Sequence, residues 1–376
     1  MISPRFFVDS LAAMQIDFYT GVPDSLLKNI CAYITDCLPK ESNVIAANEG
    51  GAIGLAAGYY LATAKIPVVY MQNSGEGNAV NPLMSLTDRE VYNIPILLLI
   101  GWRGEPGVKD EPQHVKQGKV TLELLETMGI RYEVLSMNET ECLNQLKKAK
   151  AYMEETSEPF ALVIRKGSFS DHLLQKKKDE GEEFVRETAI KIVASYMESD
   201  AVAVSTTGMI SRELFEYRES VYQSHQCDFL TVGSMGHASQ IALGIALQKK
   251  NRKVYCFDGD GALLMHLGSI AIIASMHLDN YVHVVFNNGA HDSVGGQPTV
   301  ALEIDLPQIA LACGYALVLS VADEGTLHEA LEKIKGAHGP VFLEIRVKKG
   351  ARKDLGRPTT TPIQNKEALM RFLLEE

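Results

Sequence analysis

The stretch Val254–Ala262 reads VYCFDGDGA, and the stretch Tyr281–Asn288 reads YVHVVFNN. Each is an apolar run that ends in glycine or polar residues, which is the pattern of a strand buried on both faces of a sheet. A helical pattern follows the first run, so that a strand-to-helix turn is predicted at Gly259-Asp260-Gly261. Buried strands joined by crossover helices predict a parallel sheet that is covered on both sides.

Short β-branched runs alternate with helical patterns from one end of the chain to the other. In the first half, the predicted strands are Val44–Ala47, Pro67–Met71, Ile94–Ile100 and Phe160–Ile164. In the second half, they are Ala201–Ser205, Val254–Asp258, Tyr281–Phe286 and Val341–Val347. This alternation predicts an α/β protein with open parallel sheets, whose ligands bind at the carboxyl ends of the strands.

The chain is too long for one ordinary core. It has 376 residues, and single cores usually stop growing at about 250 residues. We expect a first domain over residues 1–165, a linker over residues 166–183 and a second domain over residues 184–376. Within the linker, the basic run Lys176–Lys178 precedes Asp179 and Glu180 and is more typical of a solvated segment than of a functional patch.

The composition is that of a globular protein, with 46% hydrophobic and 22% charged residues and a net charge of −11. The negative charge disfavours nucleic acid and anionic membranes as partners, and no apolar run approaches the roughly 20 residues that span a bilayer. The stretch Met1–Gln15 has helical spacing without a signal-peptide cleavage site, and the six cysteines form no C-x-x-C pair. We therefore expect a cytoplasmic protein whose thiols are reduced and bind no metal.

Asp260 stands where a helix is predicted to begin after a buried strand, a position at which backbone N–H groups bind phosphates. A carboxylate there repels a bare phosphate, so a cation must lie between the two. Mg²⁺ prefers an octahedron of oxygen ligands, and Asp260, the Asn288 amide oxygen and a nearby backbone carbonyl can supply one side of it. The alternative is that Gly259-Asp260-Gly261 is only a tight turn and Asn287-Asn288 only a strand end.

The 25 residues 262–286 separate these two motifs, and the arrangement resembles the signature of thiamine diphosphate enzymes. The resemblance implies that Mg²⁺ is bound by Asp260, Asn288 and the carbonyl group of Ala290. It also implies that the diphosphate end of the cofactor is held by Gly259, Asp260, Gly261, Ala262 and Asn288.

A glycine-containing segment, Thr231–Ala238 (TVGSMGHA), precedes the predicted helix Ala238–Leu247. In the decarboxylases of this superfamily, a similar segment holds the aminopyrimidine ring. The resemblance implies that Gly233, Ser234 and Met235 contact the cofactor, with the Gly233 carbonyl accepting from the 4′-amino group and Met235 bending the molecule. A methionine that simply fills a gap in the core is the alternative.

Glu49 lies between the predicted strand Val44–Ala47 and a helix rich in glycine and alanine. A charge at such a place is costly unless it has a partner. The segment Asn48–Ala52 resembles the superfamily's glutamate motif, in which the carboxyl group shares a proton with N1′ of the pyrimidine. The resemblance implies a catalytic role for Glu49, and the alternative is a carboxylate that merely favours a helix N-terminus.

The whole chain resembles the compact phosphonopyruvate decarboxylase family, with the sulfopyruvate decarboxylases close to it. The segments that carry the resemblance are Gly21–Ser25 (GVPDS), Met71–Asn78 (MQNSGEGN), Gly101–Gly107 (GWRGEPG) and Asp110–His114 (DEPQH). The resemblance implies two domains of the thiamine-diphosphate-binding fold without a middle domain, the first binding the pyrimidine and the second the diphosphate. It further implies decarboxylation of 3-phosphonopyruvate to phosphonoacetaldehyde and CO₂ by a homo-oligomer of at least two chains.

The loop 101–119 is a locally basic island in an acidic protein. Arg103, Lys109, Lys116 and Lys119 oppose three acidic side chains, a net charge of +1. This pattern predicts an anion pocket, and a solvated surface loop is the alternative. The predicted substrate contacts are Asn73, Ser74, Arg103, Lys109, His114 and His291, with Asp292 as a further candidate.

Asp24 and His114 are the candidates for delivering a proton to the product carbon after CO₂ leaves. The sequence departs here from the pyruvate-type decarboxylases, because it has Gln113-His114 in place of adjacent histidines. The other functions that we consider are sulfopyruvate decarboxylation, another carboligating or oxidative thiamine enzyme, and a cofactor-binding scaffold without turnover. Glu49 argues against the scaffold, because binding alone requires no proton-transferring group.

Overall fold

The computed structural model describes residues 1–175 and 183–374, and the chain divides into two compact units, Met1–Lys178 and Asp179–Glu376. None of the helices in these described ranges is both long and apolar enough to cross a membrane. The basic run Lys176–Lys178 of the predicted linker, with Asp179 and Glu180, lies outside the described residues.

The first unit contains a six-stranded sheet with helices on both sides. Its strands are β1 (Tyr19–Gly21), β2 (Asn43–Ile45), β3 (Val68–Gln72), β4 (Leu97–Gly101), β5 (Arg131–Val134) and β6 (Phe160–Ile164). Its α-helices are α1 (Pro4–Ala13), α2 (Lys28–Cys37), α3 (Glu49–Thr63), α4 (Glu76–Pro82), α5 (Pro112–Thr127) and α6 (Glu139–Thr156). The strand order is β2-β1-β3-β4-β6-β5, and all neighbouring strands are parallel.

The second unit contains another six-stranded parallel sheet and a short antiparallel hairpin. Its strands are β7 (Val202–Ser205), β8 (Asp228–Leu230), β9 (Val254–Gly259), β10 (Tyr281–Asn287), β11 (Ala290–His291), β12 (Gln297–Pro298), β13 (Leu317–Val321) and β14 (Val341–Arg346). Its α-helices are α7 (Arg186–Tyr196), α8 (Met209–Ser220), α9 (Ala238–Gln248), α10 (Asp260–Met265), α11 (Ser269–Ser275), α12 (Leu306–Cys313), α13 (Glu324–Lys335) and α14 (Pro362–Leu374).

The two sheets have the same topology. The second sheet runs β8-β7-β9-β10-β14-β13, so that in both units the strands lie in the order second, first, third, fourth, sixth, fifth once the β11–β12 hairpin is set aside. The loops after β2 and β8 are therefore equivalent, as are those after β3 and β9 and those after β4 and β10. The prediction of two open parallel-sheet α/β domains is confirmed.

Alternate residues of the central strands face two different cores. In β3, Val68 and Tyr70 pack against side chains from α1, α2 and α6, whereas Val69 and Met71 pack against side chains from α3 and α5. The central strands are thus buried on both faces. This burial explains why they read as uninterrupted apolar runs in the sequence.

Four strands of the two sheets were missing from the sequence prediction. β1 and β8 have three residues each, too few for a recognisable period. β5 and β13 lie at sheet edges and are only partly buried, so that their apolar pattern is weak. Both causes remove the signal that identified the longer central strands.

Within the predicted linker, Ser168 and Phe169 are buried, whereas Lys166 and Gly167 before them are exposed. Phe169 is buried in the core of the first unit, where it packs edge-on against Phe7. Ile2 forms a parallel bridge with it, and the Asn29 side chain donates to its carbonyl group at 3.3 Å. Among the described residues 166–175, this phenylalanine therefore ties the chain to the first unit.

Candidate active site

The ends of β9 and β10 bring Asp260 and Asn288 together in the second unit. Phe286 of β10 pairs with Gly259 of β9, so the residues that follow each strand emerge side by side. Asp260 is the first residue of α10 and is buried, and its Oδ2 accepts a hydrogen bond from the hydroxyl group of Thr299. The helix therefore begins within the predicted strand-to-helix turn, at Asp260 itself.

Burial raises the pKa of Asp260 to about 6, although hydrogen bonds from Thr299 and from the backbone N–H groups of Gly261 and Asn288 oppose this rise. In the part of the chain that the structure describes, no lysine or arginine forms an ion pair with Asp260. A buried carboxylate of this kind is stabilised in its charged form by a metal ion. The environment of Asp260 therefore fits a divalent cation.

The neighbouring donors are oxygen atoms of the kind that Mg²⁺ prefers. The Asn288 side chain donates through Nδ2 to Asp292 at 2.6 Å, and its Oδ1 accepts from the backbone N–H of Ala290 at 3.0 Å. Oδ1 retains a second lone pair for a metal ion. The carboxylate of Asp260, the amide of Asn288 and Ala290 thus lie close together, and their role as the donor set of a metal ion stays a prediction.

The segment Gly233–His237 packs against the start of α10. Ser234 and Gly236 have left-handed backbone conformations, with φ of 53° and 84°. A Cβ atom on Gly261 would lie 2.8 Å from the His291 ring and 3.3 Å from the methyl group of Met235. A side chain at position 261 would therefore displace the His291 ring, and Met235 and His291 both lie beside this glycine.

The structure assigns different environments to His291 and Asp292. Burial lowers the pKa of His291 to about 4, so its ring is neutral at pH 7. A neutral imidazole ring can donate one hydrogen bond and accept another. Asp292 forms an ion pair with Arg186 at 2.9 Å and accepts from Asn288. Its carboxylate is therefore occupied within the protein, which makes it a poor candidate for a substrate contact.

In the first unit, Glu49 begins α3 after the edge strand β2. The Asn48 side chain caps this helix by accepting from the Gly51 N–H at 2.8 Å. Glu49 is buried, and its Oε2 accepts from Asn78 Nδ2 at 2.7 Å. The backbone of Gly75 lies so close to this carboxyl group that a side chain there would collide with it.

Asp24 is fully buried at the carboxyl end of β1. It accepts hydrogen bonds from Gln72 Nε2 at 2.5 Å and from the Leu26 N–H at 2.9 Å. Burial raises its pKa, against the opposing effect of these bonds and of the positive charge of Arg103. A carboxyl group that retains its proton at higher pH is suited to proton delivery.

Arg103 is engaged inside the first unit. Its Nε donates to Asp110 Oδ2 at 2.8 Å, its Nη2 donates to Asp110 Oδ1, and its Nη1 donates to Ser25 Oγ at 2.7 Å. Although burial opposes ionisation, hydrogen bonds from Arg103 and from backbone N–H groups hold the pKa of Asp110 well below its ordinary value. The guanidinium group of Arg103, which was predicted to contact the substrate, already makes a bidentate interaction with a carboxylate of the same loop.

The other predicted substrate contacts have varied surroundings. Asn73 uses both amide hydrogens, donating to Arg103 O at 2.8 Å and to Thr121 Oγ1 at 2.9 Å, so it positions the loop after β4. Ser74 is exposed and donates to Gln72 at 2.8 Å. Lys109 is exposed, and His114 is buried near the start of α5.

Three side chains in contact with the candidate residues were not singled out from the sequence. Asn78 holds Glu49, Gln72 holds Asp24 and Thr299 holds Asp260. Gln72 and Asn78 belong to the segment Met71–Asn78 that carried the family resemblance. The sequence therefore drew attention to this segment, but no role was predicted for these two residues. Thr299 lies 39 positions from its partner, and no local pattern connects the two.

Two family models match the chain, and both describe thiamine pyrophosphate enzymes. Residues 4–125 match the N-terminal TPP binding domain, and residues 206–345 match the C-terminal TPP binding domain. The first match includes Glu49, and the second includes Asp260 and Asn288. These matches confirm thiamine diphosphate, the same molecule as thiamine pyrophosphate, as the cofactor.

Curated relatives cover nearly the whole chain. It is 32% identical to a phosphonopyruvate decarboxylase of Streptomyces viridochromogenes, over 97% of this chain and 93% of that protein. It is 30% identical to a phosphonopyruvate decarboxylase of Streptomyces hygroscopicus, over 100% and 95%, and 29% identical to a sulfopyruvate decarboxylase of Methanosarcina acetivorans, over 97% and 95%. The chain belongs to the phosphonopyruvate decarboxylase family of thiamine pyrophosphate enzymes. The predicted enzyme class, a decarboxylase dependent on this cofactor, is confirmed.

Proposed function

We propose that this enzyme decarboxylates 3-phosphonopyruvate to phosphonoacetaldehyde and CO₂, a reaction of phosphonate biosynthesis. The observation that carries the proposal is the similarity to two phosphonopyruvate decarboxylases across nearly the full chain, at 32% and 30% identity. The basic side chains of the loop 101–119 support an anionic substrate.

We propose that the first unit binds the pyrimidine end of the cofactor and the second unit its diphosphate end. Asp260, Asn288 and the carbonyl group of Ala290 hold Mg²⁺, and Gly259, Gly261 and Ala262 contact the diphosphate. Gly233, Ser234 and Met235 contact the aminopyrimidine. When bound, the cofactor supplies a carbon nucleophile and accepts the electrons that are released with CO₂.

We propose that Glu49 is the group that transfers a proton to and from the pyrimidine. Its burial and its neutral partner Asn78 support this role, because neither places a fixed charge beside the carboxyl group. Asp24 supplies a proton to the product carbon, with His114 as the other candidate. The raised pKa of Asp24 supports this assignment, since the protonated form persists at higher pH than for an exposed aspartate.

We propose that the substrate anion competes with Asp110 for the guanidinium group of Arg103. A phosphonate is tetrahedral, but two of its three oxygens can accept from the same guanidinium fork as the two oxygens of a carboxylate, and it carries up to two charges. Asn73, whose two amide hydrogens are used within the first unit, supports the substrate loop indirectly. Lys109 adds a point charge, and Ser74, His114 and His291 are further candidate contacts. Pyruvate lacks the anion on C3 and leaves these groups unpaired.

We further propose a homo-oligomer of at least two chains, in which one cofactor is shared by Glu49 of one chain and Asp260 of another. The outward face of α3 supports assembly, because Gly54, Leu55, Gly58 and Leu61 are all exposed in the single chain. Light scattering should give at least twice the chain mass of 41.3 kDa. Mixed Glu49→Gln and Asp260→Ala chains should regain activity, and a fully active monomer would contradict the proposal.

CO₂ release from phosphonopyruvate, sulfopyruvate and pyruvate tests the substrate assignment. The protein is first stripped of cofactor with a chelator and then supplied with thiamine diphosphate and Mg²⁺. We expect phosphonopyruvate to react well, sulfopyruvate weakly and pyruvate poorly. Because the sulfopyruvate decarboxylase relative is almost as similar, at 29% identity, faster turnover of sulfopyruvate would replace the proposed substrate with the sulfonate.

A cytoplasmic location stays a prediction of the sequence. It is supported by the six cysteines, all of which are free thiols. Disulfides are uncommon in the reducing cytosol.

A further inference from the structure

Asp292 joins the side chain of Asn288 to a buried arginine. Its Oδ2 accepts three hydrogen bonds, from Asn288 Nδ2 at 2.6 Å, from Arg186 Nη1 at 2.9 Å and from the Gly350 N–H at 3.0 Å. An ionised carboxylate oxygen offers about two acceptor sites, so this atom is saturated. Asp292 is therefore held within the protein from three directions.

The Asn288 amide has only one end that can bind a cation. Its Oδ1 accepts from the Ala290 N–H at 3.0 Å and keeps one lone pair free, whereas Nδ2 carries two hydrogens and has no lone pair to offer. Rotation of the amide by half a turn would present the nitrogen to the cation. The bond from Nδ2 to Asp292 opposes this rotation, because a rotated amide would turn its oxygen towards a carboxylate.

Arg186 fixes the direction of Asp292 in turn. It is the first residue of α7 and is 5% exposed, and its guanidinium donates to both oxygens of Glu213, at 2.8 and 3.1 Å. Its Nη2 also donates to the Gly350 carbonyl at 3.3 Å. Because the guanidinium group is planar and rigid, these bonds determine where Nη1 points.

We propose that Arg186 and Asp292 are positioning residues that orient the Asn288 amide, so that Oδ1 faces the divalent cation. The inference rests on the cation site proposed above. Neither residue binds the cation, and both act through Asn288. Residues that orient metal ligands in this way typically contribute 10–100-fold to metal affinity.

Binding of Mn²⁺ tests the proposal without measuring turnover. The free ion is followed by its EPR signal in the presence of saturating thiamine diphosphate. We expect Asp292→Ala to weaken Mn²⁺ binding by roughly 10–100-fold, and Arg186→Met to weaken it by about 10-fold. Activity of both variants should recover when the metal concentration is raised. The variants should therefore need more metal for half-maximal activity, while their maximal rate changes little.

A matched control separates this role from ordinary destabilisation. Arg218 is also buried in the second unit, and it donates to both oxygens of Asp228, at 3.1 and 3.0 Å. Arg218→Met breaks a similar buried pair that does not touch Asn288. It should lower the thermal unfolding midpoint about as much as Arg186→Met, yet leave Mn²⁺ affinity unchanged.

Asn288→Asp sharpens the test, because a carboxylate presents an oxygen in either orientation. In that background, Asp292→Ala should weaken Mn²⁺ binding much less than in the wild type, or should strengthen it by removing a neighbouring like charge. A tenfold or greater loss in both backgrounds would overturn the orientation argument.

Two further results would contradict the inference in distinguishable ways. If Asp292→Ala lowers only the unfolding midpoint, as Arg218→Met does, the Arg186–Asp292 pair is purely structural. If Asn288→Ala itself leaves Mn²⁺ affinity unchanged, the cation site proposed for Asp260 and Asn288 is wrong, and the positioning role falls with it.

Discussion

Glu76 and Asp260 occupy equivalent places in the two units. Each is the first residue of the first α-helix after the third strand of its sheet, α4 after β3 and α10 after β9, and each is a buried acid. Burial raises the pKa of both carboxyl groups, to about 8 for Glu76 and about 6 for Asp260. The same topology thus places an acid at the same edge of both sheets.

Their neighbours differ, and the neighbours decide what each acid can do. After β10, the fourth strand of its sheet, Asn288 offers an oxygen beside Asp260, whereas after the equivalent β4 the chain presents Arg103, which is already paired with Asp110. Glu76 Oε1 is buried without a hydrogen-bond partner among the described residues. An acid with adjacent oxygen donors can bind a cation, whereas an acid without them retains its proton. The comparison predicts that the acids of the first unit take part in proton transfer, whereas the second unit binds a metal ion.

Glu49→Gln should have the largest effect on rate and the smallest on metal binding. The amide keeps the shape of the side chain but cannot exchange a proton, so we expect turnover to fall by roughly 10²–10⁴-fold. Mn²⁺ affinity in the presence of cofactor should stay within about threefold of the wild type, because no predicted metal ligand is changed. Near-normal turnover in this variant would reduce Glu49 to a helix-end charge.

Asp260→Ala should have the opposite signature. Removal of the only carboxylate in the predicted donor set should weaken Mn²⁺ and cofactor binding by about 100-fold or more. Thr299→Val is the graded control, since it removes only the hydroxyl group that donates to Asp260. Full activity of the Asp260→Ala protein after chelation would show that Asp260 does not bind a required metal ion, and that it does not differ from Glu76 in this respect.

Arg103→Met should change substrate selection by a smaller amount. If the phosphonate replaces Asp110 on the guanidinium, KM for phosphonopyruvate should rise by about tenfold or more, and the slow reaction with pyruvate should hardly change. Lys109→Met should give a weaker effect in the same direction, because the ammonium group is an exposed point charge. Equal losses with both substrates would mean that the Arg103–Asp110 pair only supports the loop.

The smallest effect concerns stability and pH at Glu76. The pKa of Glu76 is 4.5 in its ordinary state and about 8 in the folded protein. Between pH 4.5 and pH 8, Glu76 therefore keeps a proton in the folded protein that it has lost in the unfolded chain. The stability of the wild type should therefore decrease as pH rises through this window, with a slope of at most about 1.4 kcal/mol per pH unit from this group.

Glu76→Gln should remove that contribution. Unfolding midpoints measured between pH 5 and pH 8 should fall less steeply for the variant than for the wild type. The exposed Glu90 provides the matched control, because Glu90→Gln should leave the slope unchanged. Identical slopes for all three proteins would show that Glu76 is not a buried, protonated acid.

Much of the candidate site could be predicted because its signals are local. Asp260 and Asn288 follow long apolar strands, and adjacent parallel strands bring their carboxyl ends to the same edge. Glu49 was recognisable because a charge follows an apolar run and precedes a helix rich in small residues, although the strand before it proves to be a partly exposed edge strand and not a buried one. The partners of these residues were less accessible, since Thr299 reaches Asp260 from a distant part of the chain.

The sequence by itself determined the two parallel-sheet domains, the positions of the central strands and the acids at their ends. Continuous apolar runs and glycine turns specify these features through local burial and backbone conformation. Only the tertiary structure decided which charges are already used, as Arg103 is by Asp110 and Asp292 is by Arg186. The sequence does not show which of several acids and bases near one loop form a pair. A bidentate hydrogen bond depends on distances of about 3 Å and on the direction of the guanidinium and carboxylate groups, which are defined only after the chain has folded.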